Sequence, residues 1–264
     1  MAACVLGSAC ADTGATPLET VASAVARTLE AGSARAAFTV TAIGPDGGQE
    51  VVVIRGEGTF HLANRLGSMR LHVPDFRVPA LGGDLDAIVL GSVQILQVPP
   101  DVPLGRPWLV VDHRALHDVP VDPLVFDALL AADPSTALRY LRGVGGEVRR
   151  AGTEVVRGVP AARFETVIDL RRAAEQAPAD LELSLGRLIS RFRRARVPAQ
   201  VWIDDDGRVR RIVIRLESSE TDPTFVLDEV LYDFGARVTV TRPAAEEMAT
   251  LPELLALPPP RRRR

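Results

Sequence analysis

Residues 36–62 read AAFTVTAIGPDGGQEVVVIRGEGTFHL, and this stretch decides the fold class. Two runs in which apolar and polar side chains alternate flank a Gly-Pro-Asp-Gly-Gly cluster at 44–48. The apolar members of the alternation include Phe38, Val40, Ile54 and Phe60. A period of two is typical of strands with one buried and one solvated face, and the cluster is typical of a turn. The stretch therefore predicts two antiparallel strands of one sheet.

Two glycines interrupt the apolar side of the second strand. Gly56 and Gly58 stand where the alternation would place apolar side chains. A glycine inside a strand marks either a bend or the close approach of another group. We expect one of these two at this point of the sheet.

The rest of the chain repeats the strand pattern, and we expect nine or ten strands. Further strands are predicted at 68–73, 85–98, 108–111, 147–156, 162–169, 200–204, 208–216 and 224–234, and residues 237–241 are a candidate for one more. Helices are predicted at 17–31, 123–132, 134–143, 180–196 and 243–255. Because helices do not alternate one-for-one with strands, the pattern disfavours a parallel doubly wound sheet. It predicts an α+β fold, a large curled antiparallel sheet with helices covering its concave face.

Two of these helices carry explicit start signals. Thr16 and Glu19 form a Thr-x-x-Glu capping box around Pro17, and Gly32 is placed to end that helix. Asp133 is expected to cap the helix that begins with the following proline.

Composition limits the functional class. The 264 residues are 47% hydrophobic and 25% charged, as in a globular protein with a substantial core. A net charge of −3 gives no general attraction to nucleic acid, so no nucleic-acid partner is expected. No apolar run of 18 residues follows Cys10, so no membrane-spanning helix is expected there.

The N-terminus is typical of a bacterial lipoprotein processing site. Cys10 closes the run Leu6-Gly7-Ser8-Ala9 and precedes a polar stretch. We predict that Cys10 is lipidated and that residues 1–15 are a signal remnant and tether. An Ala-rich N-terminus with ordinary thiols is the alternative. At the other end, residues 257–264 are predicted to form a disordered Pro/Arg tail.

Several motifs resemble one known group of proteins. They are Gly56-x-Gly58-x-Phe60, Asp133 to Gly143, Gly152 to Pro160, the hairpin from Val201 to Arg211, and Tyr232 to Gly235. Together with the N-terminus, they resemble actinobacterial lipoproteins of the LppX/LprG type, within the LolA-like superfamily. The resemblance implies a single half-barrel domain over residues 16–256, with a cavity that accepts acyl chains. It implies no catalytic residues, and Cys10 is the only functional residue that it carries over.

The apolar side of the predicted sheet supplies candidates for the lining of such a cavity. They are Phe38, Val40, Ile54, Phe60, Met69, Leu71, Ile88, Leu90, Ile212, Ile214, Leu216, Val226 and Val230. Burying hydrocarbon contributes on the order of 0.8 kcal/mol per methylene, so such a cavity would bind a lipid without polar chemistry. For each residue alone, ordinary core packing is the alternative.

The sequence offers little reactive chemistry. His113 and His117 have the spacing of a zinc-binding pair but lack the Glu of the HExxH motif, so a solvent-facing loop is the simpler interpretation. Asp204-Asp205-Asp206-Gly207 predicts a hairpin turn because it lacks the bidentate Glu of a calcium loop. We predict no catalytic residue, no metal site and no cofactor.

The sequence thus favours a non-catalytic envelope lipoprotein that binds or transports a lipid or lipidated molecule. Its expected location is outside the cytoplasm, attached by lipid to the outer face of the cytoplasmic membrane. An extracytoplasmic sensory or scaffold module that contacts a membrane-protein partner is the alternative. A metal-dependent hydrolase at His113 and His117 is the weakest alternative.

Overall fold

The computed structural model describes residues 14–44, 48–74, 83–100, 102–118, 133–192, 194–217 and 223–257. The strands are β1 Ser33–Ile43, β2 Glu50–His61, β3 Leu66–Val73, β4 Gly83–Leu90, β5 Val93–Gln97, β6 Trp108–Asp112, β7 Arg149–Val156, β8 Val159–Asp169, β9 Arg196–Asp204, β10 Val209–Leu216, β11 Thr224–Tyr232 and β12 Met248–Thr250. The α-helices are α1 Pro17–Glu30, α2 Pro134–Tyr140, α3 Leu170–Glu175, α4 Ala179–Phe192 and α5 Leu251–Leu255. Short 3-10 turns lie at His113–Asp118, Leu141–Gly143 and Ala245–Glu247.

The twelve strands of the described residues belong to one sheet, in the order β12-β6-β5-β4-β3-β2-β1-β11-β10-β9-β8-β7. Strand β1 lies inside the sheet, where it pairs with β2 on one side and with β11 on the other. Every neighbouring pair is antiparallel except β12 with β6. The predicted α+β fold with a large curled antiparallel sheet is confirmed.

The helices cover one face of this sheet, which we call the helix-side face. On β1 this face carries Ala34, Ala36 and Phe38, all buried. Helix α1 is fixed to it by a buried hydrogen bond, in which the Val209 amide donates to Thr28 Oγ1 at 2.8 Å. Helix α4 reaches the same face through Phe192, whose ring meets that of Phe225 edge-on at 5.9 Å. We call the opposite side of the sheet the outer face.

The predicted helix starts are confirmed. The Thr16 amide donates to Glu19 Oε2 at 2.8 Å, and the Glu19 amide donates to Thr16 Oγ1 at 3.3 Å. Asp133 caps α2, because its Oδ1 accepts from the Ser135 amide at 3.0 Å. These side chains satisfy amides that a first helical turn leaves without partners.

Four predicted boundaries were wrong. The strand expected at 85–98 is the pair β4 and β5, joined by a turn at 91–92 in which Gly91 has φ +64°. Residues 237–241 join no ladder, and the helix expected at 243–255 is replaced by a 3-10 turn, β12 and α5. The helix expected at 180–196 is α4, which ends at Phe192, and Arg196 already belongs to β9.

Some predictions fall on residues outside the described ranges. These are lipidation at Cys10, the helix at 123–132 and the tail from 258 onward. In the described part of the chain, none of the helices is both long and apolar enough to cross a membrane.

Candidate functional site

The strand register divides the thirteen predicted cavity residues between the two faces of the sheet. Nine lie on the helix-side face: Phe38, Val40, Ile54, Phe60, Met69, Leu71, Ile212, Ile214 and Leu216. Of these, all but Leu216 are buried. The other four, Ile88, Leu90, Val226 and Val230, lie on the outer face.

The inward orientation predicted for these four was wrong for a geometric reason. On β4, Ala87 pairs with Met69 of β3 on the helix-side face, so Ile88 must face outward. There it lies opposite the buried Ile95 of β5. On β11, Val230 packs with Val156, Ala161 and Trp202 in a small second core. None of the four can line a space between the sheet and the helices.

The glycines of β2 and β3 are covered by side chains of the helix-side face. A Cβ atom on Gly56 would come within 2.7 Å of the Phe38 ring. A Cβ on Gly67 would come within 2.4 Å of the Phe60 ring. The close approach predicted at Gly56 is therefore confirmed, and the two glycines leave room for the two rings.

A buried acid stands in the middle of this apolar face. Glu229 exposes 0% of its surface and lies between Phe38 of β1 and Ile212 of β10. Neither of its carboxylate oxygens has a hydrogen-bond partner among the described residues. Burial raises the pKa of the Glu229 carboxyl well above 4.5, and the nearby Asp133 raises it further. Both effects favour the neutral, protonated form of this carboxyl.

Sequence reasoning missed Glu229. A signal was present, because Glu229 follows Leu227 and precedes Leu231 at the period of a strand. A charged residue is normally assigned to the solvent-exposed face of a strand. The pairing of Glu229 with Phe38 of β1 instead places it on the helix-side face.

A buried ion pair lies at the edge of the same layer. Arg65 Nε donates to Asp133 Oδ2 at 3.2 Å, and their side chains expose only 6% and 0%. Arg65 belongs to the turn between β2 and β3, whereas Asp133 caps α2. The pair therefore ties a helix of the covering layer to the sheet.

The outer face has a different chemistry. A cross-strand ion pair joins Arg35 to Glu57 at 2.7 Å, and a cross-strand hydrogen bond joins His72 Nδ1 and Asp84 Oδ1 at 2.7 Å. Arg211 donates to both oxygens of Asp228, at 2.8 and 2.6 Å, and this hydrogen bonding raises the pKa of the guanidinium. These groups line an open depression of about 1190 Å³, which the segment 239–241 also borders. Apolar side chains, among them Ile88, Val155 and Val230, share its lining with these charged groups.

The residues considered for metal chemistry do not form a site in the described part of the chain. His113 is buried at the end of β6, and the side chain of His117 lies outside the described residues. No group of three metal-binding side chains occurs within the described ranges. Asp204 Oδ1 accepts from the Arg208 amide at 2.8 Å, which supports the predicted hairpin turn.

Searches against protein-family models and curated protein sequences find no match. Solved structures are similar in fold. The lipoprotein LppX of Mycobacterium tuberculosis is 16% identical, with a TM-score of 0.49 over 84% of this chain and 98% of that one. A LolA superfamily protein from Nitrosomonas europaea is 9% identical, with a TM-score of 0.35 over 88% and 97%. LprF from Mycobacterium bovis is 14% identical, with a TM-score of 0.51 over 87% of this chain and 97% of that one, so this chain shares the fold of that lipoprotein. The resemblance to LppX/LprG-type lipoproteins had implied a fold of this kind.

Proposed function

We propose that this protein is a non-catalytic, lipid-anchored envelope protein that binds or carries a lipid or lipidated molecule between its sheet and its helices. The observation that carries the proposal is the continuous apolar surface of the helix-side face. Side chains of the sheet form one hydrophobic cluster with helix residues such as Leu181, Leu185 and Leu188. An acyl chain between these two layers would have apolar contacts on both sides.

The energetics support a hydrocarbon guest. Each methylene transferred from water into such a layer contributes on the order of 0.8 kcal/mol, without any directional bond. The outer face is less suited to a hydrocarbon guest, because ion-paired groups such as Arg70 and Asp86 interrupt the apolar part of its depression. The proposed ligand therefore belongs on the helix side.

The proposed anchor is a diacylated Cys10. A tether of a few residues would then join the lipid to α1, which begins at Pro17. Extraction of full-length protein from a bacterial host tests this part, because Cys10→Ala should move the protein from the membrane fraction to the soluble fraction. Equal distribution of the two proteins would contradict the anchor and leave the lipid-binding proposal in place.

The direct test is native mass spectrometry of protein purified without detergent. We expect bound species of lipid mass, which organic extraction removes. Leu216→Trp should lower the bound fraction, because Leu216 lies half-buried on the helix-side face at the end of β10. Arg215→Trp is the matched control, since the Arg215 side chain faces outward and is exposed. An empty protein that also fails to take up added phospholipid would overturn the proposal.

A sensory or scaffold module is the second candidate, and one observation favours it. Phe38 and Phe60 already fill the hollows at Gly56 and Gly67, so this part of the layer is packed by protein. A filled layer suits a module that contacts a membrane protein by its surface. The mass spectrometry experiment separates the two, because a scaffold remains empty when it is offered lipid.

A further inference from the structure

The Glu229 carboxyl is the starting point. It is fully buried, and neither Oε1 nor Oε2 has a hydrogen-bond partner among the described residues. Native structures nearly always satisfy buried polar atoms, because a polar group that loses water without gaining a partner destabilises the fold. A group of this kind at the centre of a sheet calls for a partner from outside the chain.

The sheet around Glu229 offers no such partner. Phe38 and Ile212 lie opposite it on the neighbouring strands. Leu227 and Leu231 precede and follow it on the same face of β11, and both are buried. All four side chains are hydrocarbon, so they neither donate nor accept hydrogen bonds.

The covering layer adds polar groups near the start of α2. The negative charge of Asp133 lies close enough to Glu229 to disfavour ionisation of the Glu229 carboxyl. Asp133 is itself occupied by Arg65 and by the Ser135 amide. The Ser135 hydroxyl is another buried group without a partner among the described residues. The interior therefore has a small polar spot within an apolar layer.

We propose that Glu229 is the polar contact of the lipid site and that its O–H donates a hydrogen bond to an acyl ester carbonyl of the bound lipid. The inference rests on the proposed function and specifies its ligand. An ester carbonyl accepts hydrogen bonds but does not donate them, and it stands at the head of an acyl chain. Such a ligand matches a single donor surrounded by hydrocarbon.

The test compares two lipids that differ only in this carbonyl. Dioleoyl phosphatidylglycerol has two ester groups, whereas its diether analogue has none. Wild-type protein should bind the diester roughly 3- to 10-fold more tightly, the range expected for one hydrogen bond. Glu229→Leu should bind both lipids equally. Glu229→Gln should keep the preference because its amide also donates.

Thr166→Val is the matched control. Thr166 exposes 7% of its surface, and its hydroxyl also lacks a partner in the described structure. It lies on the helix-side face of β8, opposite Ala199. Its replacement should leave the preference for the diester unchanged, which separates the role of Glu229 from the general effect of removing a buried polar group.

Two results would overturn the inference without touching the proposed function. One is equal affinity of the wild type for both lipids, and the other is a preference that survives in Glu229→Leu. Either would show that the Glu229 O–H does not donate to the ester carbonyl of the lipid. Failure of the wild type to bind either lipid would instead remove the proposed function itself. Melting curves confirm folding of each variant, and Glu229→Met replaces Glu229→Leu if the latter does not fold.

Discussion

A carboxyl group has opposite surroundings on the two faces of the sheet, and two neighbouring residues of β11 show the difference. Asp228 accepts two hydrogen bonds from Arg211, and its side chain is 36% exposed. Glu229, the next residue, is fully buried and has no hydrogen-bond partner in the described structure. Side chains alternate across a strand, so one position in sequence moves a carboxyl from solvent into hydrocarbon. The comparison teaches that strand register determines the role of an acid in this fold.

The largest effect is expected for the buried ion pair between Arg65 and Asp133. Arg65→Met would leave Asp133 buried without its cation, and we expect the free energy of unfolding to fall by about 3–5 kcal/mol. The side chains of this pair expose 6% and 0%. Chemical denaturation of purified protein measures the change.

The matched control is Arg70→Met on the outer face. Arg70 pairs with Asp86, but their side chains are 76% and 47% exposed. Its loss should cost less than about 1 kcal/mol, since exposed ion pairs contribute little. Equal losses at the two positions would break the distinction between the faces.

The second prediction concerns packing on the helix-side face. Gly56→Ala should destabilise the protein by about 1–3 kcal/mol, because the new methyl group would collide with Phe38 and with the Arg70 carbonyl. Phe38→Leu should recover part of that loss by making room for the methyl group. Thermal unfolding of the two single variants and the double variant measures this coupling.

Gly186 provides a control of opposite sign. It lies within α4, is exposed, and a methyl group added to it would meet no other atom within 4 Å. Gly186→Ala should stabilise the protein by roughly 0.5–1 kcal/mol through helix propensity alone. Destabilisation by both glycine substitutions would contradict the packing argument at Gly56.

The third prediction uses the raised pKa of Glu229. Above about pH 4.5 the unfolded chain loses the Glu229 proton while the folded protein keeps it. The unfolded state then binds fewer protons, so the free energy of unfolding falls as pH rises, by up to about 1.4 kcal/mol per pH unit. The fall continues until pH reaches the folded-state pKa.

Glu229→Gln removes this titration and serves as the reference. The difference in unfolding free energy between wild type and Glu229→Gln should therefore change steadily in favour of the variant as pH rises from 4.5. Denaturation curves between pH 4 and pH 8 would measure it. A constant difference across that range would show that the Glu229 carboxyl is not buried in a way that shifts its pKa.

Sequence patterns predicted the regular parts of this fold because those parts are specified locally. The alternation around Phe38 and the capping box at Thr16 each need only neighbouring residues to be recognised. The turn at 91–92 was missed because it lies inside an apolar run, although Gly91 was available as a signal. Strand β12 could not be predicted, since three residues pair with β6 more than a hundred positions away.

The candidate site was predicted only in part, for a related reason. Residues 87–90 are all apolar, so no alternation shows which of them face the helices. The pairing of Ala87 with Met69 places Ala87 on the helix-side face and therefore Ile88 on the outer face. At 225–231 the charged pair Asp228-Glu229 breaks the pattern, and the ladder to β1 determines which acid is buried. Register depends on pairing between strands that are distant in sequence, so the pattern within one strand does not settle it.

The smallest effect is expected for the ion pair of Arg211 with Asp228 on the outer face. Their side chains are 33% and 36% exposed, so we expect a coupling of only about 0.2–1 kcal/mol, weakened further by salt. Arg211→Met alone should cost more than this, because its guanidinium also lies 4.6 Å from the Trp202 ring centre. A double-mutant cycle with Asp228→Asn isolates the ion pair from that stacking. A coupling as large as that of the buried Arg65–Asp133 pair would mean that solvent does not screen the outer face, and the contrast between Asp228 and Glu229 would lose its physical basis.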